Sequence, residues 1–238
     1  MTYTREIIFM LVLFGANVIQ GITGFAGTLL AMPPSMLLIG PDKAKAILNI
    51  LAVLSSCMIV LYSFRYVNTR ELMKIILGML VGMVGGIYLY TLCPLNFLLP
   101  VYGGFIVLIG VKNLCFKPIA SFSKGRSYAI LIGAGVVHGM FVSGGALLVM
   151  YAAATFKDKN VFRATIASVW FILNIVLMGK DYMNGLYDQQ VIFLTLASVI
   201  PLLAATYMGA VIHDRINQGL FMKLSYILLV LSGVLLFI

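Results

Sequence analysis

The sequence predicts an all-α integral membrane protein made of two inverted repeats, each a re-entrant or broken helix hairpin followed by three transmembrane helices. Three observations carry that expectation: an extreme apolar composition, a glycine-rich motif that occurs twice, and a one-sided distribution of Lys and Arg. Of 238 residues, 62% are hydrophobic and 10% are charged, and the mean hydropathy is +1.09. A soluble domain is about 45–50% apolar and about 25% charged. A soluble core of this length has no room for the surplus, so the lipid bilayer is the expected surrounding.

Composition also excludes other classes. A net charge of +9 suggests nucleic acid in a soluble protein, but here the basic residues fall in short loops between apolar segments, as membrane topology requires. No nucleic-acid partner is expected. Cys57, Cys93 and Cys115 show no CxxC spacing and read as plain thiols. No A-x-A-like site follows the first apolar stretch, which is read as a retained segment.

Apolar segments fall near 7–20, 28–39, 46–64, 72–92, 95–116, 128–139, 146–156, 162–179, 191–212 and 219–238. Those of about 18 residues or more suffice to cross a hydrocarbon core. The pairs 7–20 with 28–39, and 128–139 with 146–156, are individually too short, and a glycine-containing break joins each pair.

The two breaks are copies of one motif. GANVIQGITGFAGTLLAM (15–32) aligns without gaps on GAGVVHGMFVSGGALLVM (133–150), with eight of eighteen positions identical at a spacing of 118. Gly86 and Gly110 align with Gly209 and Gly233 at a spacing of 123. The expected organisation is a first membrane repeat over 1–116, a cytoplasmic linker loop over 117–127 (KPIASFSKGRS), and a second membrane repeat over 128–238.

Charge placement arbitrates the topology. If each short pair crosses once, giving eight spans, the sixteen Lys and Arg divide nine to seven. If each pair enters and returns, giving six spans, Arg5, Lys43, Lys45 and Lys180 face one side and the other twelve face the opposite side. Only the hairpin arrangement gives a positive-inside bias. It puts three crossings in each half, so the halves are inverted, with both termini extracytoplasmic in the cell inner membrane.

Non-helical backbone at membrane depth is tolerated where it is buried in protein or lines a cavity, and paired breaks in two halves point to a binding site. Half-helices starting near Thr28 and Ala146 offer free N–H groups and a positive dipole end, which suit an anion. Pro33 and Pro34 are expected to interrupt the first returning segment. The candidate substrate-binding residues in the first half are Gln20, Gly21, Thr23, Gly24, Gly27, Thr28 and Asn49. In the second half they are His138, Gly139, Ser143, Gly144, Gly145, Ser168, Trp170 and Asn174. Amides buried in apolar segments need partners, whereas Ser and Thr often satisfy their own helix, and single glycines often serve helix packing. His138 aligns with Gln20 and is the candidate for proton coupling; its alternative is a neutral ring held within the hairpin. Lys43, Lys45 and Arg163 flank the breaks as anion attractors or topology anchors. Every Asp and Glu lies near a segment end or loop, which argues against a carboxylate proton relay.

The stretches GITGFAGTLLAMPP and HGMFVSGGALLVM, with the following AKAILN and FRATIASV, resemble the TauE/SafE family, the sulfite-exporter-like permeases, over essentially the whole chain. The second half departs from the pattern in lacking a proline equivalent to Pro33, and neither half has an unbroken triple glycine. The resemblance implies movement of small anions across the membrane, including sulfite, organosulfonates and related carboxylates.

The expected function is thus a secondary permease for a small organic or sulfur-containing anion, working by alternating access, with no cofactor and no metal site. An anion channel of similar shape is the alternative. An intramembrane enzyme needs paired Asp residues, HExxH, or a Ser–His or Ser–Lys couple at depth; Ser143 and His138, five apart across a break, are the sole approach to one. No Walker motif is present, so the chain does not itself hydrolyse nucleotide.

Overall fold

The computed structural model describes residues 3–92, 95–115, 122–142, 144–235 and 237, so residues 117–121 of the linker loop expected over 117–127, and Ser143, lie outside the described residues. Among the described residues there are ten α-helices and no strand. The first five are α1 (Tyr3–Thr23), α2 (Ala26–Ile39), α3 (Pro41–Ser63), α4 (Thr69–Leu92) and α5 (Leu95–Cys115). The second five are α6 (Lys124–Phe141), α7 (Gly145–Thr155), α8 (Lys159–Met183), α9 (Gln189–Arg215) and α10 (Gln218–Leu235). The chain is an all-α, multi-pass membrane protein: α1, α3, α4, α8 and α9 are long and apolar enough to cross a bilayer.

Local sequence explains the helix starts. Pro41 enters the first turn of α3, where its missing N–H costs nothing. Asp158 caps α8 by accepting from Asn160 N and Val161 N, and Asp188 caps α9 by accepting from Val191 N at 2.8 Å.

Two boundaries differ from the sequence expectation. Helix α1 has 21 residues and α6 has 18, longer than the apolar segments 7–20 and 128–139, because Gly21 and Gly139 stay helical and the polar residues before each segment join the helix. The prolines do not stop α2, which carries Pro33 and Pro34 and runs to Ile39. A membrane helix survives such residues when its surroundings absorb the freed carbonyls, and Pro33 is buried within this bundle.

The two short pairs fold back on themselves. A methyl on Gly27 would lie 3.2 Å from the Ala16 carbonyl and 2.7 Å from Gln20 Cβ. A straight continuation would separate residues 16 and 27 by about 16 Å at 1.5 Å per residue, so α2 returns along α1. Gly144 likewise abuts Ala134 and His138, so α7 returns along α6.

The main packings between α1–α5 and α6–α10 come in matched sets. Helix α1 packs on α9 as α6 packs on α4, α2 meets α10 as α7 meets α5, and α3 meets α9 as α8 meets α4. The α3–α8 and α5–α10 pairs join equivalent helices. Glycines allow the closest approaches: Gly21 faces Gly209 and Thr206 on α9, while Gly82 and Gly86 on α4 face Ile132 and Val136 on α6. Each hairpin is thereby clamped by a long helix of the other half.

Candidate functional site

The turns of both hairpins have one geometry. Gly24 and Val142 occupy aligned positions, and both lie in the left-handed region, with φ 82 and φ 55. Gly24 N donates to Gln20 O at 2.7 Å, and Val142 N donates to His138 O at 2.8 Å. Glycine adopts this conformation freely, whereas a β-branched valine there is strained. The turns also meet: Gly145, the first residue of α7, lies against the Phe25 ring and the Trp170 indole.

The first turn is closed by its own side chains. Gln20 Oε1 accepts from Gly27 N at 2.9 Å, and its amide nitrogen donates to Gly24 O at 3.4 Å. Thr23 Oγ1 accepts from Phe25 N at 3.3 Å and Ala26 N at 3.2 Å, while donating to Ile19 O at 2.8 Å. The amides at the start of α2 that an anion needs are therefore engaged within the hairpin. Gln20, Gly27 and Thr28 line a small cavity with Asn17 and Ser55, of about 10 Å3, the size of one water.

The second turn is open chemically. Among the described residues, no side chain caps the start of α7. His138 is fully buried, and neither ring nitrogen has a partner among the described residues. Its ring stacks at 42° on Trp170, with centroids 4.9 Å apart, and the indole Nε1 is also unpartnered. Gly144 packs on the His138 Cβ. Asn174 Oδ1, four residues beyond Trp170 on α8, is buried without a partner as well. Unmatched buried polar groups are costly, and the His138 and Trp170 rings stand together beside the start of α7.

Other candidates are placed elsewhere. Ser168 Oγ donates to Ala164 O of its own helix at 2.9 Å. Gly139 faces Met83 and Ile87 on α4 as a packing contact. Asn49 donates to Asp181 Oδ2 at 3.3 Å. Asp181 is 1% exposed, so one carboxylate near a segment end is in fact buried; α8 continues through it to Met183.

Sequence reasoning treated two buried cations as flanking charges. Lys45 is 6% exposed and Arg163 2% exposed. Lys45 Nζ donates to Met140 O at 3.2 Å, beside the second turn, and sits over the Tyr90 ring. Arg163 packs against Gly24 at the first turn, and its Nε and Nη2 have no partner among the described residues. The signal was available: Arg163 lies 118 residues after Lys45, the spacing that superimposes the breaks. His213 lies in the last turn of α9. It is buried, and its ring nitrogens meet Ile22 O at 2.8 Å and Asn160 Oδ1 at 3.1 Å, tying the first turn to α8 and α9.

Comparison with known proteins agrees with this architecture. A family model described as sulfite exporter TauE/SafE matches residues 9–236. No curated protein and no solved structure matches the chain. With the match covering nearly its whole length, the chain belongs to the sulfite exporter TauE/SafE family of membrane transporters.

Proposed function

We propose that the chain is a secondary transporter for a small organic or sulfur-containing anion such as sulfite, a sulfonate or a carboxylate, working by alternating access. The observation that carries this reading is the start of α7, where backbone amides that no described side chain caps converge beside Gly145 with the Trp170 indole N–H and the His138 ring, both without a partner among the described residues. Helix N-termini with free donors favour negative charge. Buried Lys45 and Arg163 add positive potential on either side.

The halves 1–116 and 128–238 act as inverted repeats on this reading. The reciprocal clamping of each hairpin by the other half supports it, as does the twelve-to-four division of basic residues. Rocking one half against the other then opens the paired turns to alternate faces, with both termini extracytoplasmic in the inner membrane.

Counterflow in proteoliposomes tests the function. Liposomes preloaded with unlabelled sulfite or an alkanesulfonate accumulate the labelled anion transiently if the protein is a carrier. Anion conductance without counterflow assigns a channel instead, and the absence of any anion flux overturns the proposal. His138 is the proton-coupling candidate within it: an imposed pH gradient drives uptake in the wild type and not in His138→Gln if the ring carries the proton.

A further inference from the structure

A second polar concentration lies away from the meeting turns. Where α3 ends, α8 begins and α9 ends, a cavity of about 410 Å3 is lined by Tyr62, Tyr66, Lys159, Asn160, Arg163 and Asp214. A neighbouring cavity of about 260 Å3 shares Tyr62, Arg163 and Asp214, and its remaining wall is largely apolar, with Met58, Ile59, Ala210 and Val211. Arg163 therefore stands where a polar vestibule joins an apolar groove.

The guanidinium is built into this place without a close ion pair among the described residues. Arg163 is 2% exposed, and its Nε and Nη2 line up with no acceptor among the described residues. Asp214, the carboxylate that shares both cavities with it, forms no ion pair with it within 4.0 Å; its Oδ2 accepts from Tyr62 OH at 3.2 Å instead. Lys159 adds a second positive charge to the wall, with its ammonium anchored on the carbonyls of His213 and Ile216 at 2.5 and 2.6 Å. A buried guanidinium presents planar, paired N–H groups that match carboxylate and sulfonate oxygens. Leaving such a charge unmatched is unfavourable, and with the Asp214 carboxylate turned to Tyr62 the Arg163 Nε and Nη2 remain open to an anion.

The geometry points to an anion-binding site in this vestibule, distinct from the turn of α7, that takes an organic oxyanion: the charged head on Arg163 and a short apolar chain in the groove between α3 and α9. This rests on the transporter reading and adds to it a place of first capture and a preference. A bare inorganic oxyanion fills only the polar cavity. A short alkanesulfonate or alkanecarboxylate also covers Ile59, Ala210 and Val211, and gains from the apolar area it removes from water. An anionic phospholipid offers the same head and chain chemistry, so the test must separate the two sources.

Purified full-length protein in a neutral detergent free of anionic lipid is heated with butanesulfonate, methanesulfonate or sulfate at matched ionic strength. Butanesulfonate at saturating concentration raises Tm by at least about 2 °C, and sulfate does not. Arg163→Gln diminishes the shift. Because Arg163 packs on Gly24 and its loss threatens the fold, Ala210→Phe supplies an independent arm: filling the groove removes the advantage of butanesulfonate over methanesulfonate and leaves the methanesulfonate response. An undiminished shift in Arg163→Gln, or an undiminished chain-length preference in Ala210→Phe, overturns the site. So does stabilisation by added phosphatidylglycerol with none by butanesulfonate. Counterflow separates this inference from its parent: sulfonate exchange that is indifferent to both substitutions removes the vestibule site and leaves a transporter. Absence of exchange with every anion removes the transporter reading, and the Tm shifts still decide the site.

Discussion

Lys45 and Arg163 stand 118 residues apart, and each packs against the turn of the opposite half: the Lys45 ammonium on the Met140 carbonyl, the Arg163 backbone and Cγ against Gly24. A buried charge is tolerated when its surroundings compensate it. Here the acceptor for Lys45 comes from the other half, and Arg163 packs on the other half's turn with no acceptor for its Nε or Nη2 among the described residues, so neither hairpin can shift without disturbing a buried cationic side chain.

Lys45→Met tests the energetic side of this arrangement. It leaves the buried Met140 carbonyl without its donor at 3.2 Å, a loss of about 1–3 kcal/mol. Lys43→Met, two residues away, removes a partly exposed ion pair with Asp188 at 3.0 Å and costs at most about 1 kcal/mol. Unfolding of both variants in the same detergent measures the contrast. Equal losses count against the buried bond.

How far the sequence discloses this fold depends on the residue. The repeat, the two breaks and their fold-back are legible because glycine spacing and charge bias are local patterns. The ends of α1 and α6 are not. Gly21 and Gly139 look like breaks, yet they stay helical because α9 and α4 press on them, partners that no local pattern reveals. Pro33 and Pro34 mislead for the same reason. At the site, the proximity of Trp170 to the second turn is foreseeable, whereas the burial of Asp181 is hidden in GKDYMNG, which reads as loop until Asn49 meets it. Gln20 and His138 align and yet diverge: one fastens its turn, the other leaves both nitrogens unpartnered.

Strain at the second turn should be removable. Val142 holds φ 55, the position Gly24 fills at φ 82, and a left-handed non-glycine residue costs about 1–2 kcal/mol. Val142→Gly relieves that strain but gives up a side chain that is fully buried, whereas Gly24→Val lowers Tm, because a side chain at residue 24 also runs into the Arg163 backbone at 2.9 Å. A Val142→Gly protein with unchanged or reduced Tm shows that the strain is compensated by packing. If transport slows as Tm rises, the stored strain serves the motion.

Gln20 should behave as a clasp. Its carboxamide bonds Gly27 N at 2.9 Å and Gly24 O at 3.4 Å. Gln20→Ala strands a buried amide and costs about 1–3 kcal/mol, with Gln20→Glu restoring the acceptor to Gly27 but not the donor to Gly24. Substrate affinity measured by titration should follow stability across the two variants. Affinity lost in a Gln20→Ala protein of normal stability makes Gln20 a ligand instead.

Acid should loosen one end of the bundle. The Asp188 carboxylate is held below its usual range by the Val191 N–H and then by the Lys43 ammonium. A depressed native pKa contributes stability that is full above the unfolded value, about 3.9, and disappears as pH falls through the native value. Stability therefore declines below about pH 4, and Asp188→Asn flattens that part of the profile. A Tm profile from pH 3 to 6 that is identical in both proteins removes Asp188 from the account.

The glycine seams make the sharpest test of the clamped architecture. A methyl on Gly209 would strike Gly21, with its Cα at 2.7 Å, and one on Gly21 would lie 2.5 Å from the Thr206 carbonyl. Both obstructions are backbone, which cannot rotate aside, so Gly209→Ala or Gly21→Ala forces α1 and α9 apart. On the other seam Gly135 faces Met79, and Gly139 faces Met83. Gly15, Gly85 and Gly179 have nothing within 4 Å of an added methyl. In those open helical positions alanine gains about 1 kcal/mol of helix propensity over glycine. The same Gly→Ala change therefore has opposite signs at the two classes of site, which helix propensity alone cannot produce. Thermal unfolding of Gly209→Ala, Gly139→Ala, Gly85→Ala and Gly179→Ala under one condition reads the sign. Losses at residues 209 and 139 with gains at 85 and 179 support the reciprocal packing of α1 on α9 and α6 on α4. Uniform gains mean that the seams are looser than a close helix–helix contact and that the two hairpins are not clamped.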